Sequence, residues 1–273
     1  MVIQKRIIIS FAFFVAFVFH NAHAQNMKLM YKAKVKAERL ITDRLGNFYL
    51  IDGSKLTKYN PDGMLLFIYD ENSYGNIAQI DAFDPFKIML YYPAFMHTVF
   101  LNEQLTIINQ FDLATNNGLG VVSVMCATNE NNYWLFDTNI KRLRRLERTG
   151  KIIAEGTFMQ SDSMFQLNNL QKIEDTEMYL FMSDQNSNLS RFDKFGNFIS
   201  TYAMGADIMD YQGSGSHVYF LQKDNIIHSY DFNDFTETVM QVPDDIVALH
   251  FRIEKNKLFI LTDTEVRIYL LTE

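Results

Sequence analysis

The chain has 273 residues, of which 48% are apolar and 14% aromatic, with 25 basic against 32 acidic side chains and a formal charge of −7. That balance argues against a nucleic-acid binder, which must neutralise phosphates. The lone Cys126 excludes an intramolecular disulfide framework, so a sizeable core has to hold the fold in an oxidising compartment.

At the N-terminus, Lys5 and Arg6 precede an apolar stretch from Ile7 to Phe19, and Ala22-His23-Ala24 supplies small residues at the positions a signal peptidase reads. Those 13 residues fall short of a membrane span, which takes ~20, and no cysteine follows for a lipid anchor. The expectation is a secretory signal over 1–24, an exported protein over 25–273, and a location in the periplasm or at the cell surface, with no transmembrane segment in the mature chain. The leader takes two basic residues and no acidic one with it, leaving 23 Lys+Arg against 32 Asp+Glu and a charge of −9.

The mature chain opens on Lys28-Leu-Met-Tyr-Lys-Ala-Lys-Val35, a strand-like run. After it a polar turn, an aromatic-aliphatic run and a polar break recur six times. The runs are Asn47-Phe-Tyr-Leu-Ile51, Lys87-Ile-Met-Leu-Tyr-Tyr92, Asn132-Tyr-Trp-Leu-Phe136, Glu177-Met-Tyr-Leu-Phe-Met182, His217-Val-Tyr-Phe-Leu221 and Lys257-Leu-Phe-Ile-Leu261. Between Tyr49, Leu90, Trp134, Leu180, Tyr219 and Phe259 the steps are 41, 44, 46, 39 and 40 residues. A strand-rich period of that length is a propeller blade. Each repeat divides into strands A to D, the runs being strand B, apolar throughout because both faces are covered. Strand C follows, as in Lys55-Leu-Thr-Lys-Tyr59, Ile140-Lys-Arg-Leu-Arg144, Leu189-Ser-Arg-Phe192 and Ile226-Ile-His-Ser-Tyr230. Turns rich in Gly and Asn, such as Asn60-Pro-Asp-Gly63 and Lys194-Phe-Gly-Asn197, lead to strand D, where positive φ is needed. From Ile246 onward the last repeat supplies only three strands. The N-terminal run is expected to be the fourth, closing an all-β, six-bladed β-propeller of four-stranded antiparallel blades and leaving only short protected edges.

The pattern Gly46-Asn47-x-Tyr49-x-x-Asp52, Leu56-x-Lys58-Tyr59, Pro61-Asp62-Gly63-x-Leu65, echoed at Gly150-Lys151-Ile152 and Lys194-Phe195-Gly196-Asn197-Phe198, resembles the NHL and TolB-like six-bladed propellers over the whole mature chain. That superfamily includes partner-binding modules, lactonase-type hydrolases and cell-surface proteins, so the resemblance implies architecture rather than activity. Blade 2 departs from it with Phe83-Asp84-Pro85-Phe86, a turn without Gly.

In an up-down meander the B–C loops and the loops between blades share one face, here the upper face. The B–C breaks carry Asp52, Asp137, Asp184, Asp224 and Asp263; recurrence at equivalent places reads as turn capping ahead of a calcium ring. The inter-blade loops carry Asp70, Asp112, Asp162, Asp207 and Asp244. These are the candidate ligands if the chain were a lactonase-like hydrolase using Ca or Zn in a carboxylate-lined channel; the resemblance aligns no specific metal ligand to them. In blade 2 the B–C acid gives way to Tyr91, Tyr92, Pro93, Ala94, Phe95, Met96 and His97. Pro93 interrupts pairing, and the aromatics either present a partner-contact patch or fold inward to plug the channel. The basic run from Lys141 to Arg148 alternates, with Arg142 and Arg144 on one strand face and Lys141 and Arg145 on the other. It reads either as a site for an anionic glycan or headgroup, or as a solvated outer strand. No local catalytic motif occurs, and Gly213-Ser-Gly-Ser-His217 reads as a hairpin turn. The expected function is a non-catalytic, cofactor-free module, monomeric or within an envelope complex, binding a protein or glycan on its upper face through Tyr91, Tyr92, Pro93, Phe95 and Met96.

Overall fold

Six four-stranded antiparallel sheets follow one another along the chain in a computed structural model that describes residues 26–115, 118–128, 130–160, 165–205 and 207–272. The leader expected over 1–24 and the candidate ligand Asp162 lie outside those residues. Blade 1 is β2 (Arg39–Thr42), β3 (Phe48–Asp52), β4 (Lys55–Tyr59) and β5 (Leu65–Asp70), and blade 2 is β6 (Gln79–Asp81), β7 (Ile88–Tyr92), β8 (His97–Leu101) and β9 (Ile107–Asp112). Blade 3 is β10 (Val122–Ala127), β11 (Tyr133–Asp137), β12 (Arg142–Leu146) and β13 (Ile152–Glu155), and blade 4 is β14 (Leu170–Asp175), β15 (Leu180–Asp184), β16 (Asn188–Phe192) and β17 (Phe198–Ala203). Blade 5 is β18 (Ile208–Ser214), β19 (His217–Gln222), β20 (Ile226–Asp231) and β21 (Glu237–Gln241). Blade 6 takes β22 (His250–Glu254), β23 (Lys257–Leu261) and β24 (Glu265–Thr272) from the C-terminus, and β1 (Asn26–Lys34) as its outermost strand. β1 runs antiparallel to β24 from Asn26 opposite Thr272 to Lys34 opposite Glu265, so the N-terminal run closes the ring as its sequence predicts.

Apolar packing lies between blades, which is why every strand B is buried on both faces. Tyr49 and Ile51 of blade 1 pack on Leu90, Tyr92 and Val99 of blade 2. Trp134 and Phe136 of blade 3 pack on Leu180, Met182 and Phe192 of blade 4.

Polar atoms of the turns explain the recurrent Asp/Asn-x-x-Gly/Leu signature. Asp43 Oδ1 accepts from the backbone N–H of Leu45 (2.9 Å) and Asn47 (3.0 Å); Asp193 does the same for Phe195 and Asn197, and Asn102 for Gln104 and Thr106. The residue that follows must take positive φ. Gly46 (+89°) and Gly196 (+82°) do so freely, while Leu105 stands there at φ 57°, a conformation that disfavours residues with a Cβ.

Several strand boundaries differ from the sequence reading, three of them instructively. β15 begins at Leu180 rather than Glu177, because the Thr176 hydroxyl bonds the Tyr179 backbone and turns the chain there. β12 starts at Arg142, two residues after the expected Ile140. Gly213 and Ser214 belong to β18, and the hairpin narrows to Gly215 and Ser216. A Cβ on Gly213 would approach Thr176 Cγ2 to 2.7 Å, so glycine is required there by contact between blades.

Candidate functional site

The six innermost strands surround an axial channel, and polar side chains on several of them tie neighbouring blades together. Gln79 on β6 donates to Ser123 O (3.2 Å) and accepts from Met125 N–H (2.7 Å) on β10. Gln212 on β18 makes the same paired contact with Ile253 of β22 (2.9 and 2.8 Å). Asp81 accepts from Ala127 N–H (3.0 Å), Glu174 from Gly213 N–H (3.0 Å), and Lys172 donates to Tyr211 O (3.1 Å). Such bonds satisfy backbone groups on an edge that no further strand covers.

Charges sort along the axis. In the upper half, a cavity of about 320 Å³ is lined by Arg39, Lys172, Asp210 and His250 among others. Asp210 meets Arg252 Nη1 at 2.5 Å and His250 Nδ1 at 3.2 Å. Burial by itself would raise the Asp210 carboxyl, but the Arg252 guanidinium and His250 outweigh it and hold the group far below the usual range. In the lower half, a cavity of about 450 Å³ is lined by Asp81, Glu174, Asp175 and Glu254 among others. Burial pushes Asp81 up to about 6, with Glu174 and Asp175 adding to it against the hydrogen bonds from Phe83 and Ala127. Burial likewise raises Asp175 and Glu254. Among the described residues no three His, Cys, Asp or Glu side chains are arranged to hold a metal ion.

The sequence-predicted residues are scattered. Asp70 accepts from the Ser54 hydroxyl (3.0 Å), Asp112 meets His97 Nδ1, Asp207 pairs with Lys223 (2.9 Å), and Asp244 is exposed. Each therefore belongs to its own blade rim. Three of the five B–C acids cap turns: Asp137 accepts from Gly120 and Asn139 N–H, Asp184 from Gln166, Asn186 and Asn188 N–H, and Asp224 from Ile226 N–H. In the blade 2 loop, Tyr91 and Tyr92 are fully buried strand residues. Tyr91 donates to Val122 O across to blade 3 (2.8 Å), and Tyr92 packs toward blade 1; strand alternation sends the two rings into opposite blade interfaces. Neither is available to a partner. Phe95 is 56% exposed with Tyr74 edge-on to it, Pro93 is half-buried, and Met96 packs against the core. Three of the five cations in the basic run are paired, since Arg142 and Arg144 both reach Glu155 and Arg145 reaches Glu130.

Sequence reasoning missed the lower face. There the A–B turns of blades 1 to 4 and the C–D turn of blade 4 enclose a groove of about 650 Å³. Phe83 from blade 2 and Phe195 from blade 4 line it at 45% and 62% exposure, flanking blade 3, whose buried Trp134 also contributes. Leu45, Phe86 and Met178 stand exposed in the same turns. Opposite charges pair on the walls, Arg44 with Asp84 (3.4 Å) and Arg145 with Glu130 (2.5 Å). The glycine-free turn Phe83-Asp84-Pro85-Phe86 is the signal that marked this place in the sequence.

No family model matches the chain, and no curated protein matches it. Solved structures do. The WD40 domain of Neurospora crassa Pan2 superposes with a TM-score of 0.61 at 8% identity, over 92% of this chain and 97% of that one. A catalytically inactive virginiamycin B lyase from Staphylococcus aureus with quinupristin gives 0.59 at 10% identity, over 89% and 99%. BBS1N in complex with ARL6DN gives 0.58 at 11% identity, over 92% and 98%. At such identities the likeness shows the β-propeller fold alone, a fold that serves protein-binding modules and lyases alike.

Proposed function

We propose that this chain is an exported, non-catalytic docking propeller of the cell envelope that holds a protein segment in its lower-face groove. The observation that carries this reading is the pair of exposed phenylalanines, Phe83 and Phe195, converging on one groove from two blades. Exposed aromatics grouped in a concave surface, with polar groups around them, are what protein contacts use. Aliphatic Leu45 and Met178 in the same turns favour a protein over a glycan, because sugars stack on flat rings and gain little from branched or flexible apolar chains. In the channel, by contrast, Gln79, Asp81, Glu174, Asp210 and Gln212 are committed to ties between blades. Export rests on the leader read from the sequence.

The test is capture from a native envelope extract by the mature chain and its variants. Phe83→Ser with Phe195→Ser is expected to reduce capture at least tenfold while the melting temperature stays within a few degrees, as surface substitutions do. Phe95→Ala is expected to leave capture unchanged; loss of capture in that variant alone would move docking to the upper face. Undiminished capture in both variants would sink the docking surface on either face. A stoichiometric Ca or Zn in protein purified without chelator would instead favour the metal-dependent hydrolase.

A further inference from the structure

The rim between blades 2 and 3 carries the part of the basic run that no acid answers. Arg142 and Arg144 pair with Glu155, and Arg145 with Glu130. Arg148, at the end of the run, makes no ion pair among the described residues, and neither does Lys151. Both stand exposed on the β12–β13 turn. That turn is closed by Gly150 N–H to Glu147 O and Glu147 N–H to Lys151 O, both 2.9 Å, so the two cations are held on one short loop. Its own acid, Glu147, accepts from the Thr149 hydroxyl at 2.6 Å. Arg148 and Lys151 line a cleft of about 570 Å³ whose opposite wall is β9. Strand alternation places Asn109 and Phe111 on one face of β9, and both line the cleft. Phe111 is half-buried, its ring steadied by Phe100 (5.6 Å between centroids) and Tyr133 (6.1 Å). Asp112, the acid that lines the cleft, lies at the upper end of β9 and meets His97 Nδ1. The lower end is positive. After burial, Arg148 is the largest influence lowering the proton affinity of Lys87 on blade 2, ahead of the opposing effects of Asp84 and Asp81. An uncompensated pair of cations stands out in a chain of formal charge −7.

We infer that this cleft binds an acidic saccharide, its one carboxylate or phosphate at Arg148 and Lys151, a sugar ring against Phe111, and neutral hydroxyls at Asn109 and Asp112. A guanidinium and an ammonium on one loop suit a single oxyanion. The amide of Asn109 and the carboxylate of Asp112 suit hydroxyl groups, which both donate and accept. A fatty acid would cover those two groups without bonding them, and an inorganic anion would leave the Phe111 wall unused. Asp112 disfavours a second anionic group at the upper end. From Asn109 to Asp112 the wall runs roughly 10 Å at ~3.3 Å per residue, room for a disaccharide, and the volume falls within the range of ligand pockets. The cleft shares no lining residue with the lower groove, so this assignment is independent of where a protein segment docks.

The experiment is calorimetric titration of the full mature protein with two probes, an aldobiouronic acid (one uronate joined to one neutral hexose) and a disaccharide monophosphate. A neutral disaccharide and inorganic phosphate are the controls. Saturable binding of at least one acidic probe is expected, and the tighter of the two identifies the anionic group as carboxylate or phosphate. The neutral disaccharide and inorganic phosphate should each bind at least tenfold more weakly, having lost one half of the contacts. Arg148→Gln combined with Lys151→Gln, both on an exposed turn and so without effect on folding, is expected to weaken the acidic probe at least tenfold. Lys141→Gln removes another unpaired cation of the same run, on the β11–β12 turn outside the cleft, and should leave binding unchanged. Four results would each overturn the assignment: no binding of either acidic probe, equal binding of a control, unchanged affinity in the double variant, or an equal loss in Lys141→Gln, which would mean diffuse attraction to the basic run.

Discussion

Asp43 shows how one side chain can set a blade. Fully buried, it accepts from Leu45 N–H, Asn47 N–H, the Asn47 amide (2.8 Å) and the Tyr49 hydroxyl (2.8 Å), and burial together with this carboxylate pushes the Tyr49 phenol far up. Asp43→Ala leaves several buried donors unpaired and should cost about 3 kcal/mol. At the more exposed equivalent turn, Asn60 accepts only from Asp62 and Met64 N–H, and Asn60→Ala should cost about 1 kcal/mol; urea denaturation of both variants checks the ratio. Asp81 makes a different prediction. It touches the channel yet is surrounded by protein, and its carboxyl lies near 6 when folded against about 3.9 unfolded. The native state therefore holds its proton to higher pH than the unfolded state does. The stability this lends is complete below pH ~4 and lost as pH rises through ~6, by up to about 2 kcal/mol after allowance for water in the channel. Asp81→Asn should flatten the fall in melting temperature between pH 4.5 and 6.5 (~2 units of pH); an unchanged slope would show that Asp81 titrates normally.

At the scale of elements, closure by β1 is secured where it meets blade 1. Tyr31 donates to Gly63 O at 3.0 Å, and Gly63 sits in the β4–β5 turn at φ +87°. A Cβ there would lie 2.1 Å from Tyr31 Cε2. Gly63→Ala combines left-handed strain with displacement of the Tyr31 ring and should lower the melting temperature by roughly 5–10 °C. Paired with Tyr31→Ala, the two losses should be less than additive, since both loosen the same contact; full additivity would mean that the turn and β1 act separately. Hairpins of this kind were legible in the sequence because the turn residues are local. Asn60-Pro-Asp-Gly63 fixes a turn by its own side chain and one positive φ. The Glu177 run was misplaced because its turn is set by Thr176, whose hydroxyl also reaches Gly215 O (2.8 Å) in the neighbouring blade, a contact no local pattern contains.

For the whole molecule, stacking blades in a ring turns repeated strands into two unlike faces and a channel of graded charge. The docking prediction belongs to this scale, since the lower groove draws on turns from four blades and no single turn forms it. The acids chosen as metal candidates show the converse. Asp70, Asp112, Asp207 and Asp244 recur in sequence, yet the first three each bond a side chain of their own blade and Asp244 faces solvent. Polar residues on the innermost strands, Lys172, Asp210 and Arg252, were passed over because a single strand gives no sign of which of its edges faces the axis. Their separation of about one blade length, 42 residues from Asp210 to Arg252, was the available clue.

Blade number, strand order, ring closure and the turn chemistry were determined by the sequence itself, because each depends on residues close together in the chain or on a period that survives counting. Burial of Tyr91 and Tyr92, the lower groove and the pairing of Asp210 with Arg252 between blades 5 and 6 were decided only by the tertiary structure. The physical reason is common to all three. Each depends on which side chains from different blades come within hydrogen-bonding or packing distance, and that is set by how six sheets wrap around an axis rather than by any stretch of chain.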